Sequence, residues 1–223
     1  MIINPYRHAA AGGNGLATGI VTHVDLGDSL TDDVGSGDLT ATGTSATSGT
    51  APDGGNARLF GTGDKLTSSA GTIWGSGTTM TISVWVKLTR NVGGYLWGHP
   101  APNGYSNAQF LAISHNLRWY FDATFLGDVT STGALNNWIN VVATSNGPGT
   151  ASDEIFINNV SKDTGGGGWE PGSAAFYLGA SQTGAPSFEG EMVGLTIWDR
   201  VLSSDDRTAL FNSGTNLRYA GYT

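Results

Sequence analysis

The chain has 223 residues, among them 35 Gly, seven Trp and no Cys; only 13% are charged, and the formal net charge is -8. That length is enough for one large, well-buried domain, and the composition excludes long Lys- and Glu-rich helices in favour of many short strands joined by turns. The ten basic residues are scattered, which disfavours nucleic acid as a partner; no run approaches the ~20 apolar residues of a membrane helix, and without Cys there is neither thiol chemistry nor a disulfide framework.

Residues 1–19 read as a separate N-terminal arm. Pro5 and the run Ala9-Ala10-Ala11-Gly12-Gly13-Asn14-Gly15 suit no regular element. The segment reads either as a frayed, flexible terminus or as an anchor that orders on a partner, with Ile3, Pro5, Tyr6 and Arg7 as its anchoring residues. Met1 to His8 shows no apolar run behind a basic patch, so no secretory signal peptide is expected.

Residues 20–27 alternate and predict a first strand. Residues 28–55 are rich in Ser, Thr, Gly and Asp and predict short edge strands and loops. Met80–Leu88 is the clearest strand, with Ile82, Val84, Val86 and Leu88 on one face and Ser83, Trp85 and Lys87 on the other. Further strands are predicted at 95–98, 109–114, 117–122, 138–144, 154–158 and 175–180. Asn158-Asn159 and His115-Asn116 suit tight hairpin turns, and Gly165 to Gly168 a flexible loop.

From Phe188 to Gly214 the pattern is a strand, an Asp-Arg corner and a short helix. Val193, Leu195 and Ile197 alternate with Gly194, Thr196 and Trp198. Ser203 is placed as an N-cap with Asp206 three residues on, and Gly214 as the helix stop.

Three segments carry a family resemblance: Gly55-Asn56-Ala57-Arg58-Leu59-Phe60-Gly61, Met80–Leu88 and Phe188–Ser203. In this order they resemble laminin-G-like, concanavalin A-like jelly-roll domains, and the likeness covers about residues 20–214. It implies an all-β antiparallel sandwich over residues 20–223, with one short C-terminal helix and the extended arm before it. Trp85, Trp138 and Trp198 match core positions of that family. The opening Ile2-Ile3-Asn4-Pro5-Tyr6 resembles the starts of tailed-bacteriophage virion proteins that carry such domains.

The family also hosts glucanases, which need a pair of carboxylates at defined separation. Of the four Glu (Glu154, Glu170, Glu189, Glu191), only Glu189 and Glu191 have alternate spacing, and they belong to the structural closing motif. A solvated strand entry is the reading adopted, and no catalytic residue is assigned. No Gly-x-Ser-x-Gly elbow and no zinc-like His spacing is present.

Calcium is the metal the resemblance raises. Asp25, Asp28, Asp32, Asp33 and Asp38 cluster, as do Asp122 and Asp128. Asp is also a common turn residue, there is no Asp-x-Asp-x-Asp-Gly loop, and Val193 stands where the family pattern has an acid. No cofactor is therefore expected. For sugar, which needs a flat aromatic face with polar neighbours, the candidates are Trp97, Tyr105, Trp119 and Trp169.

The function expected is that of a non-enzymatic structural protein of a phage virion: a capsid decoration protein, head fibre or tail-associated module. Its expected partners are the capsid shell or other virion proteins and further copies of itself, a trimer among the closed assemblies. The alternative is a carbohydrate-binding adhesion module that recognises cell-surface glycan. A glycoside hydrolase ranks last. The expected location is the virion, after synthesis in the host cytoplasm.

Overall fold

The computed structural model describes residues 15–43, 46–48, 51–69, 73, 79–90, 94–100, 106–107, 109–113, 116–121, 124–129, 134–147, 153–165, 175–180, 187–218 and 221–222. The strands are β1 (Ile20–Val24), β2 (Leu39–Thr42), β3 (Ala46–Ser48), β4 (Ala57–Phe60), β5 (Lys65–Ser68), β6 (Met80–Leu88), β7 (Gly94–Tyr95), β8 (Trp97–Pro100), β9 (Ser106–Asn107), β10 (Gln109–Ile113), β11 (Asn116–Phe121) and β12 (Thr124–Val129). They continue with β13 (Ile139–Ser145), β14 (Asp153–Ile157), β15 (Val160–Gly165), β16 (Tyr177–Leu178) and β17 (Gly190–Trp198), and helix α1 (Ser204–Phe211) follows. Every pairing between these strands is antiparallel.

One sheet of eight strands runs β15-β14-β13-β6-β17-β4-β3, with β1 also pairing β17. The others run β12-β11-β10-β7 and β2-β5-β16-β8-β9. The core lies between layers. Ile82, Val84 and Val86 of β6 and Met192, Leu195 and Ile197 of β17 pack in one buried cluster with Leu66 of β5, Trp97 of β8 and Leu178 of β16. Burial of each such side chain contributes about 1.5–3 kcal/mol. The chain is thus the antiparallel sandwich with one short C-terminal helix that its sequence implies.

The large sheet is covered on its outer face as well. Val142, Phe156 and Trp198 are buried there with Leu16, Leu202, Leu210 and Tyr222. Trp85 and Val193 form a neighbouring cluster with Ala51 and Ala57, and the ring of Phe211 stacks on Trp85 at 5.9 Å between centroids. β6 and β17 are therefore buried on both faces, and Trp85 and Trp198 are core residues as expected. Trp138 is only half-buried, with the Lys87 ammonium 5.3 Å from its ring centroid. Among the described residues no helix is long and apolar enough to cross a membrane.

Four expectations are corrected. Val193 does not share a face with Leu195 and Ile197. The register with β6 shifts between Val193 and Thr196, and Gly194 sits in the left-handed region at φ 68°. Such a bulge inserts one residue and exchanges the faces beyond it. Val193 thus lies opposite Trp85 on the outer side. Second, the helix stops before Gly214: Asn212 itself takes the left-handed cap (φ 44°), and a 3-10 turn spans Asn212–Gly214.

Third, residues 15–19 do not stand apart from the sandwich. Leu16 is 0% exposed and its carbonyl accepts the indole N–H of Trp198, so the sandwich already includes residues 15–19. Ile3, Pro5, Tyr6 and Arg7 lie outside the described residues. Fourth, β12 and β15 arise where no strand was anticipated, and Gly165 closes β15 rather than opening a loop. Gly166 to Gly168 and His115 also lie outside the described residues.

Candidate functional site

Three of the four Glu are committed to neighbours. Glu191 is 7% exposed, and its Oε1 lies 2.7 Å from Nζ of Lys87, its register partner on β6. Glu189 accepts from Arg90 Nη1 at 2.6 Å and from Thr62 Oγ1 at 3.0 Å. Glu154 accepts from Ser161 Oγ across the β14–β15 hairpin. Glu170 lies outside the described residues. Glu191 is thus a buried cross-strand ion-pair partner, whereas Glu189 stands at the entry to β17, paired with the exposed Arg90.

Asp33 faces the His23 ring at 3.9 Å, and the other four acidic residues between 25 and 38 divide into two structural jobs. Asp32 folds its own loop: its Oδ1 accepts the N–H groups of His23 and Val34 at 2.9 Å, and its Oδ2 that of Gly37 at 2.8 Å. Burial opposes its ionisation, but these donors outweigh burial and hold the carboxyl below its ordinary range. Asp38 in turn accepts the N–H of Asp32 at 2.8 Å.

Asp25 and Asp28, joined by Asp53, converge instead on Arg218. The calcium that the resemblance raises does not fit this cluster, because a guanidinium already faces all three carboxylates. Among the described residues no group of three or more His, Cys, Asp or Glu is arranged to hold a metal ion. Asp122 and the side chain of Asp128 lie outside what the structure describes.

His23 is 1% exposed and belongs to a buried polar chain. Its Nδ1 lies 2.8 Å from Thr196 Oγ1, which lies 3.0 Å from the hydroxyl of Tyr222. Its ring meets that of Tyr222 edge-on at 5.3 Å. Burial pushes the imidazole down to about 4, against the opposing pull of Asp25 and Asp32. Burial likewise raises the Tyr222 phenol. Both are neutral at physiological pH and act as packing and hydrogen-bonding groups.

Of the four aromatic candidates, the structure describes the side chain of Trp97 alone. Trp97 is 0% exposed in the main core, so its rings face Leu66, Leu178 and their neighbours rather than a ligand. The reason is strand parity: Trp97 pairs with Leu178 on the inward side of the sheet. Trp119 lies on β11 opposite Phe110 and Gly127. Tyr105 and Trp169 lie outside the described residues.

A different aromatic stands on the outward side. Phe176 and Leu178 are buried, so alternation turns the half-buried Tyr177 between them away from the core. Register sets Thr40, Thr67, Tyr177 and Gly98 in one row across β2, β5, β16 and β8. Thr42 and Lys65 form the adjacent pair, and the Lys65 ammonium stands 5.3 Å from the Tyr177 ring centroid. The row joins one aromatic surface to hydroxyl groups and a cation, which is the chemistry of saccharide recognition. Alternation in Phe176-Tyr177-Leu178 was the available signal for it.

The geometry defines a lectin-like sandwich, and comparison with known proteins agrees. The Laminin_G_3 model, described as the concanavalin A-like lectin/glucanases superfamily, matches residues 60–206. The chain belongs to that superfamily. No curated protein matches it.

Among solved structures it resembles domain 4 of AbnA, a GH43 extracellular arabinanase from Geobacillus stearothermophilus, in complex with arabinotriose. The TM-score is 0.67 at 19% identity, over 86% of this chain and 97% of that one. It resembles the binding domain of botulinum neurotoxin serotype D (0.67, 13% identity, 91% of this chain, 53% of that one). It also resembles Trypanosoma rangeli sialidase in complex with sialic acid (0.67, 16% identity, 87% and 33%). The chain thus spans about half of the toxin domain and a third of the sialidase, and at these identities the likeness is one of fold.

Proposed function

We propose that this chain is a non-enzymatic, lectin-like attachment module that holds glycan on the outer face of its five-stranded sheet. The observation that carries the reading is the outward row of Thr40, Thr67 and Tyr177 beside Lys65. The commitment of Glu154, Glu189 and Glu191 to neighbouring side chains supports a binding rather than a hydrolytic role. The saccharide complex of the arabinanase domain, similar over nearly its whole length, supports the ligand class. A glycan array of arabino-oligosaccharides and sialylated glycans tests it. Tyr177→Ala is expected to abolish the signal with the melting temperature unchanged. No signal from the wild type, or an unaltered one from Tyr177→Ala, overturns the reading. Trp119→Ala, Tyr105→Ala and Trp169→Ala, run in parallel, locate any site on the other candidates.

A second reading concerns where the module is mounted. It is a structural protein of a tailed-phage virion, as capsid decoration, head fibre or tail-associated module, with shell proteins and further copies of itself as partners. The packing of residues 15–18 favours it: Leu16 is buried, and the carbonyls of Gly15 and Thr18 are held by Arg200. Mass spectrometry of purified particles is expected to find the chain, and its absence sinks the idea. Deleting residues 1–14 is expected to leave a folded domain that no longer joins particles.

A further inference from the structure

Asp25, Asp28 and Asp53 come from two loops of the N-terminal quarter, and Arg218 comes from the C-terminal segment. The guanidinium spans all three. Nη1 donates to Asp25 Oδ2 and, at 3.1 Å, to Asp28 Oδ2. Nε and Nη2 donate to the two oxygens of Asp53 at 2.6 and 3.2 Å, and Nη2 reaches the carbonyl of Asn56 at 3.4 Å.

The carboxylates are separately aimed at this point. Asp25 Oδ1 accepts the N–H groups of Gly27 and Asp28 at 3.1 Å. Asp28 Oδ1 accepts from Asn56 Nδ2 at 2.6 Å, and Asp53 Oδ1 accepts the N–H of Gly55 at 3.0 Å. Asn216 Oδ1 accepts the N–H of Asp53 at 3.0 Å, which ties the same segment down a second time. Gly55 leaves the space the guanidinium uses, since a Cβ there would collide with Nη2.

Three carboxylates facing a carbonyl is a donor set that a hard divalent cation takes. Here a planar fork with five N–H donors satisfies it instead, bidentate on Asp53. We infer that Arg218 is the built-in cation of this rim: it stands where an acidic loop cluster would otherwise need calcium, and it makes the loops at 25–28 and 53–56 depend on the docked C-terminal segment. The rim is set without metal and released by loss of the tail.

Two measurements test this. A crystal structure of the full chain grown in millimolar calcium is expected to show the guanidinium among the three carboxylates; an ion there with Arg218 displaced overturns the inference. In thermal unfolding, Arg218→Gln is expected to lower the melting temperature by about 5 °C or more, because it strands three neighbouring carboxylates. Arg218→Lys, which keeps the charge but not the fork, is expected to fall between the two and to remain folded. A melting temperature for both variants equal to that of the wild type overturns it as well.

Discussion

Trp198 donates its indole N–H to the carbonyl of Leu16 at 2.7 Å, which joins the last residue of the central strand β17 to the first turn of the described chain. The junction is reinforced by Arg200, which donates to the carbonyls of Gly15 at 2.7 Å and Thr18 at 2.8 Å, and by the Asp199 N–H on the Gly19 carbonyl at 2.8 Å. Removal of residues 1–14 is therefore expected to leave the unfolding transition in place. Removal of residues 1–19 uncovers Trp198 and strands the Arg200 donors. Leu16→Ala, which leaves a cavity beside Trp198 and Tyr222, is expected to cost about 2–5 kcal/mol. Chemical unfolding of the three variants checks the order; equal stability of the two deletions would refute it.

The buried imidazole of His23 makes stability depend on pH. Its folded value, about 4, lies below its ordinary 6.5, so folding favours the neutral ring. The fold therefore pays no penalty above pH 6.5, loses stability as pH falls from 6.5 to about 4, and levels off below. The loss amounts to about 3 kcal/mol. Asp25, Asp32 and Asp33 on neighbouring loop positions favour the charged ring and Arg218 opposes it, but burial dominates. The lowered carboxyl of Asp32 adds a second loss in a more acidic window, as pH falls below its ordinary 3.8. His23→Asn, which can still meet Thr196, is expected to be less stable at neutral pH yet to lack the loss between 6.5 and 4. Urea midpoints against pH check it, and an unchanged slope in the variant would remove His23 as the cause.

Local signals in the sequence were legible where the structure depends on neighbours in the chain. The N-cap at Ser203, the Asn158-Asn159 turn and the nine-residue strand Met80–Leu88 all stand where their residues place them. What the sequence hid depends on partners far along the chain. Glu191 looks solvent-facing until register sets it against Lys87, about a hundred positions away. The acidic run at 25–38 suggests a metal until Arg218 arrives from the other end. Trp97 was placed as a ligand platform because its four-residue strand is too short for periodicity to fix which face is inward. The bulge at Gly194 hid Val193 for a related reason: one inserted residue inverts parity without any break in the apolar pattern.

The cap of α1 is coupled to the arm root. Ser203 Oγ accepts the N–H of Asp206 at 3.1 Å, and Asp206 Oδ2 accepts the N–H of Ser203 at 3.0 Å, a reciprocal capping box. The same Oδ2 accepts Arg200 Nη1 at 2.7 Å. Burial opposes ionisation of Asp206, but Arg200 and Ser203 outweigh it and hold the carboxyl below its ordinary range. Ser203→Ala is expected to cost about 1 kcal/mol. Asp206→Ala should cost more, about 1.5–3 kcal/mol, because a charged acceptor is lost from three donors. An Arg200→Gln/Asp206→Asn double-mutant cycle is expected to give a coupling of about 0.5–3 kcal/mol, and additive losses would show that the cap and the arm root are independent.

The β14–β15 hairpin turns through two left-handed residues, Asn158 at φ 51° and Asn159 at φ 61°, with Ile157 and Val160 in register on either side. Both suit the turn, but they carry different loads. Asn158 Oδ1 accepts the N–H of Asn140, a residue buried beneath the outer layer, at 2.9 Å, and the Asn158 N–H returns to the Asn140 carbonyl at 2.9 Å. Asn159 makes one exposed bond, Nδ2 to Thr208 Oγ1 at 3.0 Å. Asn159→Gly creates the Asn-Gly pair preferred in such turns and is expected to change stability by less than about 0.5 kcal/mol. Asn158→Gly keeps the turn but leaves the Asn140 N–H without its acceptor, a loss of about 1–3 kcal/mol. Asn158→Ala adds the left-handed strain of a Cβ, about 1–2 kcal/mol more. Equilibrium urea unfolding should rank the losses Asn158→Ala, then Asn158→Gly, then Asn159→Gly; equal losses for the two glycine variants would show that the turn conformation, and not the bond to Asn140, is what Asn158 supplies.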